Sequence, residues 1–162
     1  MKISEINDLV RQFLTAVAPM LGNASKNYDL SEPVDAADLF GEEEMRKIKK
    51  DSGVYLYWDK KSGQVIYVGM GKVKDRFVQH IGPGFCWARN GTKASFPNST
   101  LVSDEKWWVN KDMKKVVQNA EFNVTCIFPE NHDISRLIES FLIYFLHTHG
   151  TRIGGGILNA SF

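Results

Sequence analysis

The sequence predicts an α+β domain: a small three-stranded antiparallel sheet flanked by helices, with a helical extension ahead of it. Two β-type runs separated by a turn cluster, a third alternating run farther on, and apolar residues at helical spacing on both sides carry that prediction.

The elements follow in order. Ile6, Leu9, Val10, Phe13, Leu14, Val17 and Leu21 recur at the helical period, predicting an amphipathic helix over residues 4–21 with Ser4 as its N-cap and Gly22-Asn23 as its stop. Residues 23–36 are polar and read as a loop. Residues 41–51 read as a short helix, because Glu42, Glu43 and Glu44 at its start and Lys47, Lys49 and Lys50 at its end suit the helix dipole. Residues 53–58 and 64–69 are β-branched and aromatic, and Asp59-Lys60-Lys61-Ser62-Gly63 between them is turn chemistry, so the pair predicts a hairpin. A short helix is expected over 73–80, a long loop or insertion over 81–103, and a helix over 104–118. Residues 122–128 alternate as a third strand that Pro129 ends. Asp133 then caps an apolar helix reaching about His149, with Gly150 closing it.

A chain of 162 residues accommodates one domain, and 43% hydrophobic residues suffice for a core. No apolar run approaches the roughly 18 residues of a membrane span. Glu5, Asp8 and Arg11 interrupt any signal-peptide core, so no secretory signal is expected. Cys86 and Cys126 are too sparse for a disulfide framework or a zinc site, and a reducing, cytoplasmic setting is the default.

The net charge of +1 conceals two halves of opposite sign. Residues 1–44 carry a net −6 and residues 45–162 a net +7. The second half is able to hold a phosphate backbone electrostatically, although the same lysines and arginines also suit a plain solvated surface. Lys111, Lys114 and Lys115 share one helical face and are open to either reading.

The hairpin places one tyrosine on each strand with a glycine within two residues: Gly53-Val54-Tyr55 opens the first strand and Tyr67-Val68-Gly69 closes the second. Arg76 and His80 follow four apart, a spacing that stacks them on one helical face. Glu139 interrupts an apolar helix, with Arg136 three residues earlier as a plain ion-pair partner. Leu158-Asn159 stands 20 residues beyond Glu139.

These motifs, in this order, resemble the GIY-YIG nuclease family over roughly residues 52–162. The resemblance implies a domain at 51–162 with an insertion at 81–120; residues 1–50, which have no counterpart in it, are expected to be an N-terminal helical extension that packs on the domain or meets a second copy or a partner protein. It further implies a DNA endonuclease that hydrolyses phosphodiester bonds with one Mg²⁺ or Mn²⁺ held by Glu139. Tyr55 would be the general base, Tyr67 would hold water or phosphate, Arg76 would clamp the scissile phosphate, His80 would assist the base, and Asn159 would fix Glu139 or the tail. A free phenol has a pKa of about 10, so Tyr55 needs nearby positive charge from the ion, Lys72, Arg76 or His80. Lys72, Lys74, Lys111, Lys114 and Lys115 would contact substrate phosphates. The rival expectation is a catalytically inactive nucleic-acid-binding or protein-interaction module on the same fold.

Overall fold

The N-terminus is tied to the hairpin turn, and this tie sets where the first helix begins. The Ile3 N–H donates to the Gly63 carbonyl at 2.8 Å, and Lys2 bridges to Gln64. The Lys2 N–H is taken by the Glu5 carboxylate at 2.8 Å, so Lys2 rather than Ser4 is the N-cap of α1 (Ile3–Val17). The α-helix ends earlier than its apolar period suggests, because Pro19 lacks an N–H and its ring is incompatible with a continuing helix; Ala18–Met20 form a 3₁₀ turn instead. In the computed structural model the described residues are 1–21, 27–38, 52–80, 86–87, 94–95, 111–146 and 148; the side chains of 78–80, 86–87, 94–95 and 111–114 lie outside the description.

The stretch expected to be a loop contains two short strands, β1 (Tyr28–Leu30) and β2 (Val34–Asp35). The hairpin follows as β3 (Ser52–Asp59) and β4 (Val65–Lys72), and β4 passes directly into α2 (Val73–His80). Cys86–Trp87 (β5) and Ala94–Ser95 (β6) pair as a separate antiparallel ribbon within the expected insertion. Next come α3 (Lys111–Gln118), β7 (Phe122–Pro129) and α4 (His132–Phe145). The expected helix over 41–51 falls outside the described residues, as do residues 104–110 of the next one.

The main sheet is antiparallel, in the order β1-β7-β3-β4, with β2 also pairing with β7. It therefore has five strands where the sequence predicts three, and the first 50 residues contribute strands as well as a helix. The two added strands are too short to show a period. They take their hydrogen bonds from the outer edge of β7 and so cover it. Between them Ser31 continues the tie: its N–H donates to the Cys126 carbonyl and its hydroxyl accepts from the Cys126 N–H, each at 2.8 Å.

The N-cap of α4 is Asn131, whose Oδ1 accepts from the Asp133 N–H at 2.8 Å; Asp133 lies in the first turn. The α-helical run reaches Phe145 and π-helical backbone continues at Leu146 and Thr148; His147 and His149 lie outside the described residues. Among the described residues no helix is long and apolar enough to cross a membrane.

Strand alternation gives the sheet two different faces. Val54, Leu56, Val65, Val68 and Ile127 point to one, where Ile6, Val10 and Leu14 of α1 and Ile134, Ile138 and Leu142 of α4 cover them. Tyr55, Tyr57, Tyr67, Phe122, Val124 and Cys126 point to the other, where Val73 and Phe77 of α2 and Val117 of α3 close the layer.

Candidate functional site

The register of β3 on β4 creates the site. Tyr55 pairs with Gly69, Tyr57 with Tyr67 and Gly53 with Gly71, so three tyrosines and three glycines share one face. Pairing shifts by one residue beyond Tyr57, where Trp58 opposes Val65. The glycines clear the space that larger groups occupy. A Cβ on Gly69 would stand 2.5 Å from Cζ and from the hydroxyl of Tyr55, so the Tyr55 ring lies across that glycine. A Cβ on Gly71 would stand 3.0 Å from Nε of Arg76, and Gly71 itself has a φ of +135°, which disfavours any side chain.

Arg76 reaches that position because α2 starts immediately after β4. Val73 and Phe77 are fully buried one turn apart and anchor the helix, and Arg76, between them in sequence, remains exposed beside the end of β4. Glu139 comes from the opposite layer. Ile138 and Leu142 seat α4 on the sheet, and the half-buried Glu139 carboxylate accepts from the backbone N–H of Met70 on β4, the last strand of the sheet.

The phenols of Tyr55 and Tyr67 are hydrogen-bonded to each other, with ring centroids 6.0 Å apart and planes inclined by 22°. Both rings are buried, at 2% and 5% exposure. Burial drives the Tyr55 phenol far above its ordinary range, and Tyr67 together with the Glu139 charge adds to that rise; Arg76 only partly opposes it. Burial also raises Tyr67, but its hydrogen bond with Tyr55 pulls the other way. With the protein's own charges alone, desolvation therefore outweighs the positive charge expected to assist Tyr55, and Tyr67 is the member of the pair that the shared bond favours for ionisation. The Glu139 carboxyl is also raised, chiefly by burial, against the Met70 N–H and the charges of Arg136 and Arg76.

Tyr55, Tyr67, Arg76 and Glu139 thus form one electrostatic cluster drawn from β3, β4, α2 and α4. Lys72 is exposed at the end of β4, Lys74 is half-buried on α2, and Lys115 is exposed on α3. His80, Lys111 and Lys114 lie in helices, but their side chains are outside the described residues, and Asn159 is outside them altogether. The sequence reading did not single out Tyr57, Gly71 or the Met70 N–H. Tyr57 carried a signal, since it stands two residues from Tyr55 on the same strand and so must share its face. The contact between Gly71 and Arg76 depends on the strand-to-helix turn, for which the sequence offers no period.

Among the described residues no group of three or more His, Cys, Asp and Glu gathers as a cation cage. One half-buried carboxylate is a hard oxygen donor, and burial is the main cause of its raised pKa. That donor set fits Mg²⁺ or Mn²⁺, which keep several waters and take remaining ligands from a substrate; it does not fit Zn²⁺, which requires a fuller protein shell. No protein-family model, curated protein or solved structure matches the chain.

Proposed function

We propose that the chain is a divalent-metal-dependent endonuclease that hydrolyses DNA phosphodiester bonds with a GIY-YIG-type site. The observation that carries this reading is the convergence of Tyr55, Tyr67, Arg76 and Glu139, distant in sequence, at the glycine-lined end of β4. Glu139 would hold the cation. When bound there, a divalent ion supplies Lewis acidity toward the phosphoryl oxygen and counter-charge for the developing negative charge.

The protein's own groups account for the remaining chemistry. The exposed Arg76 guanidinium, backed by Gly71, presents a planar fork suited to two phosphate oxygens. Lys72, immediately after Gly71, adds an exposed cation beside it. The phenol pair, having released one proton to solvent, takes the proton of the attacking water. The water oxygen bonds to phosphorus, the bond from phosphorus to the leaving oxygen breaks, and the leaving oxygen takes a proton from solvent. Burial of Tyr55 and Tyr67 excludes bulk water from that proton acceptor.

The same burial favours a second reading, a DNA-binding module without turnover, because it holds both phenols protonated. Incubation of supercoiled plasmid with Mg²⁺, with Mn²⁺ and with chelator separates the two. The nuclease reading expects nicking or linearisation with either ion, none with chelator, and loss of cutting with retained DNA binding in Glu139→Ala. Binding with no ion-dependent cutting by the unaltered protein would establish the second reading.

A further inference from the structure

Three tyrosines share the site face, and only two of them satisfy each other. Tyr55 and Tyr67 are joined by their hydrogen bond. Tyr57 is completely buried, and its hydroxyl has no hydrogen-bond partner among the described residues. Four rings hold it in place: Tyr55 at 5.5 Å between centroids, Tyr67 at 5.2 Å, Phe77 at 6.0 Å and Phe122 at 5.1 Å. It also sits at a defined register position, opposite Tyr67 on one side and Val124 on the other.

Electrostatically the Tyr57 phenol faces the phenols of Tyr55 and Tyr67 and the thiol of Cys126. The Cys126 thiol is itself engaged with the Ser31 hydroxyl. The polar group that Tyr57 meets on the site side is therefore the Tyr55–Tyr67 pair. A buried hydroxyl that makes no bond is a cost that phenylalanine, with the same ring, would not carry. A buried hydroxyl beyond bonding distance of two neighbouring phenols is a group whose hydrogen bond one ordered water would supply.

We infer that the Tyr57 hydroxyl is a positioning group for the Tyr55–Tyr67 pair, anchoring a single buried water that bridges the three phenol oxygens and fixes the orientation of the pair toward the substrate phosphate. Tyr57 touches neither substrate nor cation and exchanges no proton. This role rests on the nuclease reading of the same site. It gives the aromatic layer a purpose beyond packing: it holds rigid the one hydrogen bond on which proton uptake depends.

The test is Tyr57→Phe, which removes one oxygen and leaves the ring. Steady-state nicking of supercoiled plasmid with Mg²⁺ should show kcat lowered about tenfold, at the lower end of what loss of a supporting hydrogen bond costs at comparable sites. KM should be unchanged, and the thermal midpoint should be equal or slightly lower, since one bond to the water is lost. A kcat equal to that of the unaltered protein overturns the inference and leaves the nuclease reading standing. Slower cutting that comes with a raised KM also overturns it, because the substitution then disturbs substrate binding rather than the orientation of the pair. An unaltered protein that cuts no DNA overturns both.

Discussion

On one face of the sheet, Val54, Leu56, Val68 and Ile127 meet aliphatic residues of α1 and α4. On the other, Tyr55, Tyr57, Tyr67, Phe77 and Phe122 meet as rings, and three buried hydroxyls lie among them. Both faces are drawn from the same strands. The aliphatic face is compatible with packing as its main task; its Thr125 hydroxyl is occupied by the Trp58 indole N–H at 3.1 Å, while the buried Ser135 hydroxyl of α4 finds no partner among the described residues. The aromatic face spends burial on polar groups that packing alone would replace with phenylalanine. On the proposed reading stability and chemistry are separated to either side of one sheet, and Glu139 is the group that crosses, rising from the aliphatic layer to the end of β4.

The sharpest break of that separation is on the aliphatic side. Leu56 is fully buried, and Leu56→Ala should cost about 2–5 kcal/mol through lost burial and the cavity left behind. Chemical denaturation measures the loss. Below the unfolding transition, the cutting rate per folded molecule should be unchanged. A matching fall in that rate would show that the two faces are not independent.

Gly69→Ala attacks the other face with a single methyl group. The new Cβ would meet the buried Tyr55 ring at 2.5 Å, and that ring is wedged between Tyr67 and Phe77. Overpacking of this kind costs about 1–3 kcal/mol, less than the Leu56 cavity. Cutting should nevertheless suffer far more than with Leu56→Ala, since the Tyr55 hydroxyl is displaced. Equal stability loss with intact cutting would remove Tyr55 from the site.

How much of this was legible follows the range of the interactions. The hairpin, the third strand and the shared face of Tyr55 and Tyr57 are period-two features, written in residues 53–69 and 122–128. Strands β1 and β2 were not legible, because three and two residues carry no period and their pairing is supplied by β7, almost 100 residues on. The start of α1 was set by a bridge from Lys2 to Gln64 rather than by Ser4, again a distant partner. At the candidate site, motif order named Tyr55, Tyr67, Arg76 and Glu139, which the fold brings near one another, but not their electrostatic balance. Burial of Tyr55 and Glu139 depends on which helices close over the sheet, and for Tyr55 it outweighs the lowering by Arg76.

The group that crosses the sheet offers the finest test. Burial raises the Glu139 carboxyl above its value in the unfolded chain, so the folded protein binds a proton that the unfolded chain has lost. Where the folded state holds more protons, stability falls as pH rises. The cost is absent below the unfolded value of about 4.3, grows through the window above it, and is complete once pH exceeds the raised folded value. Glu139→Gln removes the charge and keeps the shape. Without divalent ions its thermal midpoint should exceed that of the unaltered protein at pH 7 and match it near pH 4. Mg²⁺ should invert the order at pH 7, because an ion that binds only the folded carboxylate stabilises the unaltered protein in proportion to the logarithm of its concentration and leaves the glutamine variant unmoved. A midpoint in the unaltered protein that does not respond to Mg²⁺ or Mn²⁺ would mean that Glu139 holds no cation, and that its reach across the sheet serves only the Met70 N–H.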